Sequence, residues 1–319
     1  MELKDLWSKV KRYPNVVGYS SQLQPRIRRG KIVKGELCFR VYVSKKLPEV
    51  QLKPQHVIPK LMGNVPTDIV EIGVVRALSI DKTKKHRPAP AGVSIGHFSI
   101  TAGTLGWFAN DKEDGETVIV SNNHVLAAEN NGKKDDVILQ PGAYDGGVLA
   151  DAIAKLKRFV PLKFSEYTCP YRNALLKLKK AFLGEAENRV DIACASPINV
   201  DDVKLEIVDI GKVKGKRAPN VGEEVQKSGR TSCHTKGGKI ADVSWNGYVQ
   251  YSRGTCFFVD QVLIQKTGFS SGGDSGSLIL DMDNNAVAWL FAGSDTTTVG
   301  NKIAAVEEEL GVEILTFPT

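Results

Sequence analysis

No stretch of this chain approaches the roughly 18 to 20 consecutive apolar residues that a membrane-spanning helix needs. The opening Met1-Glu2-Leu3-Lys4-Asp5-Leu6-Trp7 is interrupted by charge before the apolar core of a signal peptide can form. These two absences lead to the expectation of a cytoplasmic protein with no membrane partner. Cysteine is scarce too. The five residues Cys38, Cys169, Cys194, Cys233 and Cys256 are an odd number, without the short pair spacings of zinc sites. Reduced structural thiols are therefore expected, with no metal and no cofactor. Disorder is excluded by composition, since 42% of the residues are apolar and only 25% charged. A length of 319 residues is above the usual size of one domain and points to two or three compact units.

Charge is placed unevenly. Residues 1–90 hold 19 Lys and Arg against 7 Asp and Glu, so the net +7 of the whole chain is a property of its N-terminal part. Arg26-Ile27-Arg28-Arg29-Gly30-Lys31 and Lys82-Thr83-Lys84-Lys85-His86-Arg87 are the densest runs. Such runs bind phosphate backbones or acidic partners, or stand as solvated loops.

In chain order, Leu3, Leu6 and Val10 recur at helical spacing and predict a short amphipathic helix that Pro14 ends. Residues 15–22 and 32–43 read as strands, with Phe39, Val41 and Val43 alternating as one buried face; residues 67–78 return as a strand. Together these make a small α+β accessory domain over 1–88, without a cluster of His, Asp, Glu or Ser suited to chemistry. Residues 79–92, with Pro88-Ala89-Pro90, read as a linker. Beyond them, short β-rich runs recur between Gly, Asn and Asp turns, a mainly β pattern of barrels or sandwiches. Residues 89–203 and 204–319 each have the length of one barrel. Tyr171 to Leu183 reads as a basic amphipathic helix, either packed on the first barrel or free to bind a partner, and Ile303 to Leu310 as a C-terminal helix.

Chemistry concentrates at Gly272-Gly273-Asp274-Ser275-Gly276-Ser277. A serine hydroxyl is inert at neutral pH, so a nucleophilic role requires a base beside it and donors for the charge it creates. The glycines permit a sharp turn that aims the N–H groups of Gly273 and Ser275 at one oxyanion while the Ser275 side chain projects at its rim. Upstream, an apolar strand ends in Ser121-Asn122-Asn123-His124, and Val190-Asp191-Ile192-Ala193 places an aspartate before another apolar run. The order His124, Asp191, Ser275 is that of the chymotrypsin-type triad; no glycine stands two residues before Ser275, so the nucleophile elbow of α/β-hydrolases is absent.

Gly-Asp-Ser-Gly-Ser at 273–277, Asn-Asn-His-Val at 122–125 and Val-Asp-Ile-Ala at 190–193 resemble segments of the trypsin/chymotrypsin-like serine endopeptidases. Lys227-Ser228-Gly229-Arg230-Thr231-Ser232 is similar to a strand of bacterial secreted members. Arg40-Val41-Tyr42-Val43, Val65-Pro66-Thr67-Asp68, Thr101-Ala102-Gly103-Thr104 and Gln140-Pro141-Gly142-Ala143-Tyr144-Asp145-Gly146-Gly147 resemble, more closely still, prokaryotic intracellular relatives of the plant narrow-leaf protease. The resemblance implies a double six-stranded antiparallel β-barrel with the site in the groove between barrels. It implies that Ser275 is the nucleophile, His124 the base, Asp191 its support, and the N–H groups of Gly273 and Ser275 the oxyanion hole. It further implies that Phe291-Ala292-Gly293-Ser294 pairs with an extended polypeptide substrate, that Phe269 lies at the floor of the specificity pocket, and that Arg230 pairs with Asp274 to hold the oxyanion turn without a zymogen cut.

Three functions follow as expectations: a serine endopeptidase; a protease-fold binding protein without turnover; and a nucleic-acid-associated protein using the basic N-terminal domain, although no nucleic-acid motif or aromatic platform is evident. The N-terminal domain and the 171–183 helix are the places where a protein partner is expected, and oligomers are compatible with all three.

Overall fold

The computed structural model describes residues 3–28, 31–73, 80–100, 102–169, 173, 176 and 185–318. The chain forms two compact units, Met1–Ser79 and Ile80–Thr319. The helix expected over 171–183 lies outside the described residues, apart from Asn173 and Leu176.

In the smaller unit the expected helix is Leu3–Val10, and its Leu6 and Val10 pack without exposure against Phe39, Val41 and Met62. The long strand Lys31–Val43 pairs antiparallel with Val16–Tyr19 and Gln24–Arg28 and parallel with Val65–Glu71, whose far edge pairs with Leu61–Met62. Phe39, Val41 and Val43 alternate inward as their spacing predicts. The parallel pair requires a crossover, and the stretch holding Pro48, Pro54 and Pro59 supplies it, with short 3₁₀ turns at Glu49–Gln51 and Pro54–His56.

The larger unit is built from two barrel-like β-sheets. The first runs, in spatial order, through Val312–Ile314, Trp107–Asp111, Thr117–Ser121, Ala193–Pro197, Ala152–Phe159, Val137–Leu139, Ser94–His97 and Gly103–Thr104. The second closes on itself with six strands. These are Gly254–Gln265, Cys233–Tyr251, Glu224–Gly229, Leu278–Asp281, Asn285–Gly293 and Thr297–Lys302, the last returning to pair with the first. Each sheet borrows from the other's part of the chain. Phe164–Tyr167 joins the second sheet, and Val312–Ile314 joins the first. Arg158 secures the second exchange with two bonds to the Asp111 carboxylate, of 2.6 and 2.7 Å, and with Nε donating to the Leu310 carbonyl at the end of the helix Ile303–Leu310.

Residues 80–91 do not behave as the linker their composition suggests. The Lys82 ammonium is buried against Ser228 and Asp209, Arg87 bonds the side chain of Gln140 at 2.7 Å, and Ala89–Ala91 pairs with Val203–Ile207. Lysine and proline content mark a linker only where their backbone and charges stay in water; here both find partners within the larger unit. The compact boundary accordingly falls at 79/80 rather than 88/89. No helix among the described residues is long and apolar enough to cross a membrane.

Candidate active site

Strand register brings His124 and Asp191 together. Thr117–Ser121 pairs with Ala193–Pro197, Ser121 opposite Ala193, so the residues just beyond the end of one strand and just before the start of the other are neighbours. His124 sits on the one-turn helix Asn123–Leu126, and the side-chain amide of Asn122 donates to the Asp191 carbonyl at 2.7 Å, tying the two segments. The imidazole Nδ1 lies 2.6 Å from Asp191 Oδ2, and the backbone N–H of His124 donates to Oδ1 at 3.2 Å. The Asp191 carboxylate is fully buried.

A further donor reaches that carboxylate, one that reading the sequence did not reveal. Cys233–Tyr251 and Gly254–Gln265 form a long hairpin whose tip carries the Tyr251 hydroxyl to 2.8 Å from Asp191 Oδ2. The backbone N–H of Asp191 donates to Asn301 Oδ1 at 3.0 Å. Glu129, at positive φ, holds the same hairpin tip by accepting from Ser252 N–H and Oγ and from Arg253 N–H, at 2.9–3.1 Å. Burial works against a charged imidazole, but the Asp191 charge, its hydrogen bond and the Glu129 charge outweigh it, so His124 holds its proton above its ordinary value. Burial, then the Asp191 charge, push the Tyr251 hydroxyl far above its ordinary value and keep it a donor.

The turn around Ser275 is pinned by the first barrel. Thr104 donates through N–H to the Ser275 carbonyl at 2.8 Å and through Oγ1 to the Gly273 carbonyl at 2.9 Å. Gly273 and Gly276 have φ of +92° and +97°; a Cβ at 276 would lie 2.1 Å from Ser121 Oγ, so glycine is required for this approach. Among the described residues the N–H groups of Gly273 and Ser275 have no partner, while those of Asp274, Gly276 and Ser277 are bonded. Two free donors flanking Asp274, next to the half-buried serine side chain, are what an oxyanion site requires.

Asp274 is held differently from the expectation. Arg230 does not pair with it. Lys227 does, with Nζ 2.9 Å from Asp274 Oδ2 and both side chains wholly buried. Four further donors complete the shell: Ser271, Thr231 and Ser232 N–H at 2.8–3.0 Å, and Ser232 Oγ. Arg230 instead grips Asp145 with Nε and Nη2 and lies over the Tyr144 ring, 5.1 Å from its centroid. The reason lies in where the strand ends. Lys227 stands within Glu224–Gly229, which is buried from Val225 to Gly229, while Arg230 stands past the end of that strand. Burial lowers the Lys227 proton affinity and the Asp274 charge opposes that fall; burial raises the Asp274 carboxyl, but Lys227 and the donors of Ser232 overcome it and leave Asp274 low, hence ionised.

His124 and Ser275 line one open cavity of about 550 Å³, together with Phe291, Ala292, Gly293 and Ser294. No hydrogen bond joins His124 to Ser275 in this arrangement. The residue expected at the pocket floor, Phe269, is not among the lining residues. It points into the second barrel, fully buried with Val225, Ile240 and Ile264, where its ring lies 2.8 Å from where a Cβ at Gly238 would be. The side chains beside Gly293 are those of Ser270 and Thr298, whose hydroxyls are 2.5 Å apart. Among the described residues no three His, Cys, Asp or Glu side chains gather as metal ligands.

A family model described as the Nal1 C-terminal domain matches residues 90–293. The chain belongs to that family. The matched part of this Nal1 C-terminal domain contains His124, Asp191, Lys227, Tyr251 and Ser275; Ser294, Thr298 and Asn301 lie beyond it. Solved structures similar to the chain include Thermobifida fusca protease A, 16% identical with a TM-score of 0.48, covering 72% of this chain and all of that one. A Nocardiopsis protease is 14% identical at 0.49 with the same coverage, and a Cellulomonas bogoriensis chymotrypsin 17% identical at 0.47, covering 72% of this chain and 99% of its own. No curated protein matches the sequence.

Proposed function

We propose that this chain is an intracellular serine endopeptidase. The observation that carries the reading is the 2.6 Å contact of His124 with the fully buried Asp191, in the same cleft as Ser275 and beside two unpartnered N–H groups. Intracellular residence is supported by Cys38, Cys194, Cys233 and Cys256, which form no disulfide among the described residues.

The steps run as follows. Ser275 Oγ attacks the scissile carbonyl carbon as its proton passes to His124 Nε2, and the negative oxygen is met by the N–H groups of Gly273 and Ser275. Asp191 accepts a hydrogen bond from Nδ1–H and stabilises the imidazolium, while Tyr251 donates to Oδ2 and fixes the carboxylate's orientation. His124 then protonates the leaving amine, and water, activated by the same imidazole, releases the acyl group. Phe291 to Ser294 are the proposed docking strand.

A second reading, a protease-fold binding protein without turnover, is favoured by the missing bond between His124 and Ser275, although apo sites often close that bond only with substrate. Labelling the full chain with a fluorophosphonate separates the two. Labelling lost in both Ser275→Ala and His124→Ala establishes an activated nucleophile; labelling absent from the parent chain, with native-like circular dichroism, rejects the endopeptidase.

A further inference from the structure

The smaller unit holds a cavity of its own, of about 380 Å³, far in sequence from His124, Asp191 and Ser275. Its walls are apolar: Val16, Val43 and Ile69 come from the sheet, and Leu47, Leu52 and Ile58 from the proline-rich crossover. Its cations are Lys45, Lys46 and Lys53, with His56 beside them, against a single lining carboxylate, Glu49. Among the described residues none of the three ammonium groups pairs with a carboxylate. Lys46 Nζ donates only to the Ile69 carbonyl, at 3.3 Å.

We propose that this cavity binds an anionic amphiphile: one apolar chain of medium length carrying an acidic head, a carboxylate or phosphate, held by Lys45, Lys46 and Lys53. Three observations favour this over an extended peptide. First, most of the backbone donors that a strand would need along the crossover are already used. Lys45 and Lys46 N–H bond to Asn15 and Glu71 side chains, and Gln51, Leu52, His56 and Val57 N–H bond within the crossover's own turns, which leaves scattered donors rather than a continuous row. Second, the volume is near the lower end of the roughly 300–1,000 Å³ usual for small-ligand pockets, which suits one chain and not two. Third, three prolines stiffen the crossover, so the wall is preorganised and loses little freedom on binding. The proposal is independent of whether Ser275 is reactive.

The test is calorimetric titration of the full chain with octanoate, decanoate, decyl phosphate and decyltrimethylammonium, all below their micelle concentrations. Expected are one site per chain, tightening of roughly fourfold for each added methylene, and binding of the cationic amphiphile at least tenfold weaker than decanoate. Decyl phosphate binding beside decanoate marks the head as a general anion, and its failure to bind restricts the class to carboxylates. The triple variant Lys45→Gln/Lys46→Gln/Lys53→Gln should weaken decanoate about tenfold without changing the unfolding midpoint, and Leu52→Trp should fill the cavity and abolish binding. The proposal is overturned if decanoate shows no saturable binding by 1 mM, or if anion and cation bind equally. Full-strength binding to both variants places the ligand elsewhere and overturns it too. Should Leu52→Trp fail to fold, the lysine variant alone decides.

Discussion

Two buried aspartates stand on either side of the cleft, and the structure satisfies them in opposite ways. Asp274 is neutralised by the Lys227 ammonium and four further donors. Asp191 receives only uncharged donors, from Tyr251, the His124 backbone and the His124 ring in its neutral form. A carboxylate already paired with a cation has little attraction left for a charge that appears later. One left without a cation in low dielectric will favour a proton arriving on its neighbour. The contrast separates scaffold from proposed chemistry: Asp274 fixes the shape of a turn, and Asp191 waits for the imidazolium.

The largest effect expected from this contrast is that of Asp191→Asn, which should lower turnover about 10⁴-fold while peptide KM changes by less than threefold. A loss of affinity equal to the loss of turnover would make Asp191 a structural residue like Asp274. Next comes Lys227→Met, which strands a buried carboxylate. Urea unfolding should show a loss of about 3–5 kcal/mol, and kcat/KM should fall roughly 10²–10³-fold through the disordered oxyanion donors. The double variant Lys227→Met/Asp274→Asn should regain much of the stability and little of the turnover.

The pH profile sharpens the same comparison. With His124 raised, the acid limb of kcat/KM should lie above the ordinary histidine value of 6.5, since the neutral imidazole is the base. Tyr251→Phe removes a donor from Asp191, strengthens its hold on the imidazolium and should move that limb further up; a downward move would contradict the assigned geometry. With Lys227 lowered by burial, a fall in activity should set in below the ordinary lysine value of 10.5 as the ammonium is lost. Lys227→Arg, which keeps its proton, should shift that fall upward. The smallest effect belongs to Arg230→Ala. Because Arg230 serves Asp145 and not Asp274, turnover should drop by less than about tenfold, the scale of a lost peripheral contact rather than of an oxyanion donor.

The parts of this site legible in the sequence are those encoded locally. Glycine at 273 and 276, the strand ending before His124, the apolar run after Asp191, and the run Phe291 to Ser294 announce themselves within a few residues, and the structure brings His124, Ser275 and Phe291 to Ser294 around one cleft. Partners far apart in sequence were less accessible. Lys227 and Arg230 are equally basic on paper, and what distinguishes them is that Lys227 lies within a wholly buried stretch of strand and Arg230 just past its end, a boundary that no local pattern marks. Tyr251 reaches Asp191 from the tip of a hairpin whose length no local pattern announces. Phe269 lies in the turn after Gly254–Gln265 with its ring in the core of the second barrel, which its spacing from Ser275 does not reveal, and the lysines and prolines of 80–91 resemble a linker because their partners, Gln140, Val203, Asp209 and Ser228, lie far along the chain.

The crossed strand at Val312–Ile314 has a consequence for how the molecule is made. Trp107 Nε1 donates to the Leu315 carbonyl at 2.7 Å, across a sequence separation of 208. Ribosomes add about 5–20 residues per second, so the outer edge of the first sheet, Trp107–Asp111, stays uncovered for roughly 10–40 seconds of synthesis. During that interval the whole closed barrel that carries Ser275 is produced. A nascent chain thus has an unsealed first sheet until its last strand emerges, and its exposed edge is where a chaperone, or a neighbouring nascent chain, would find it.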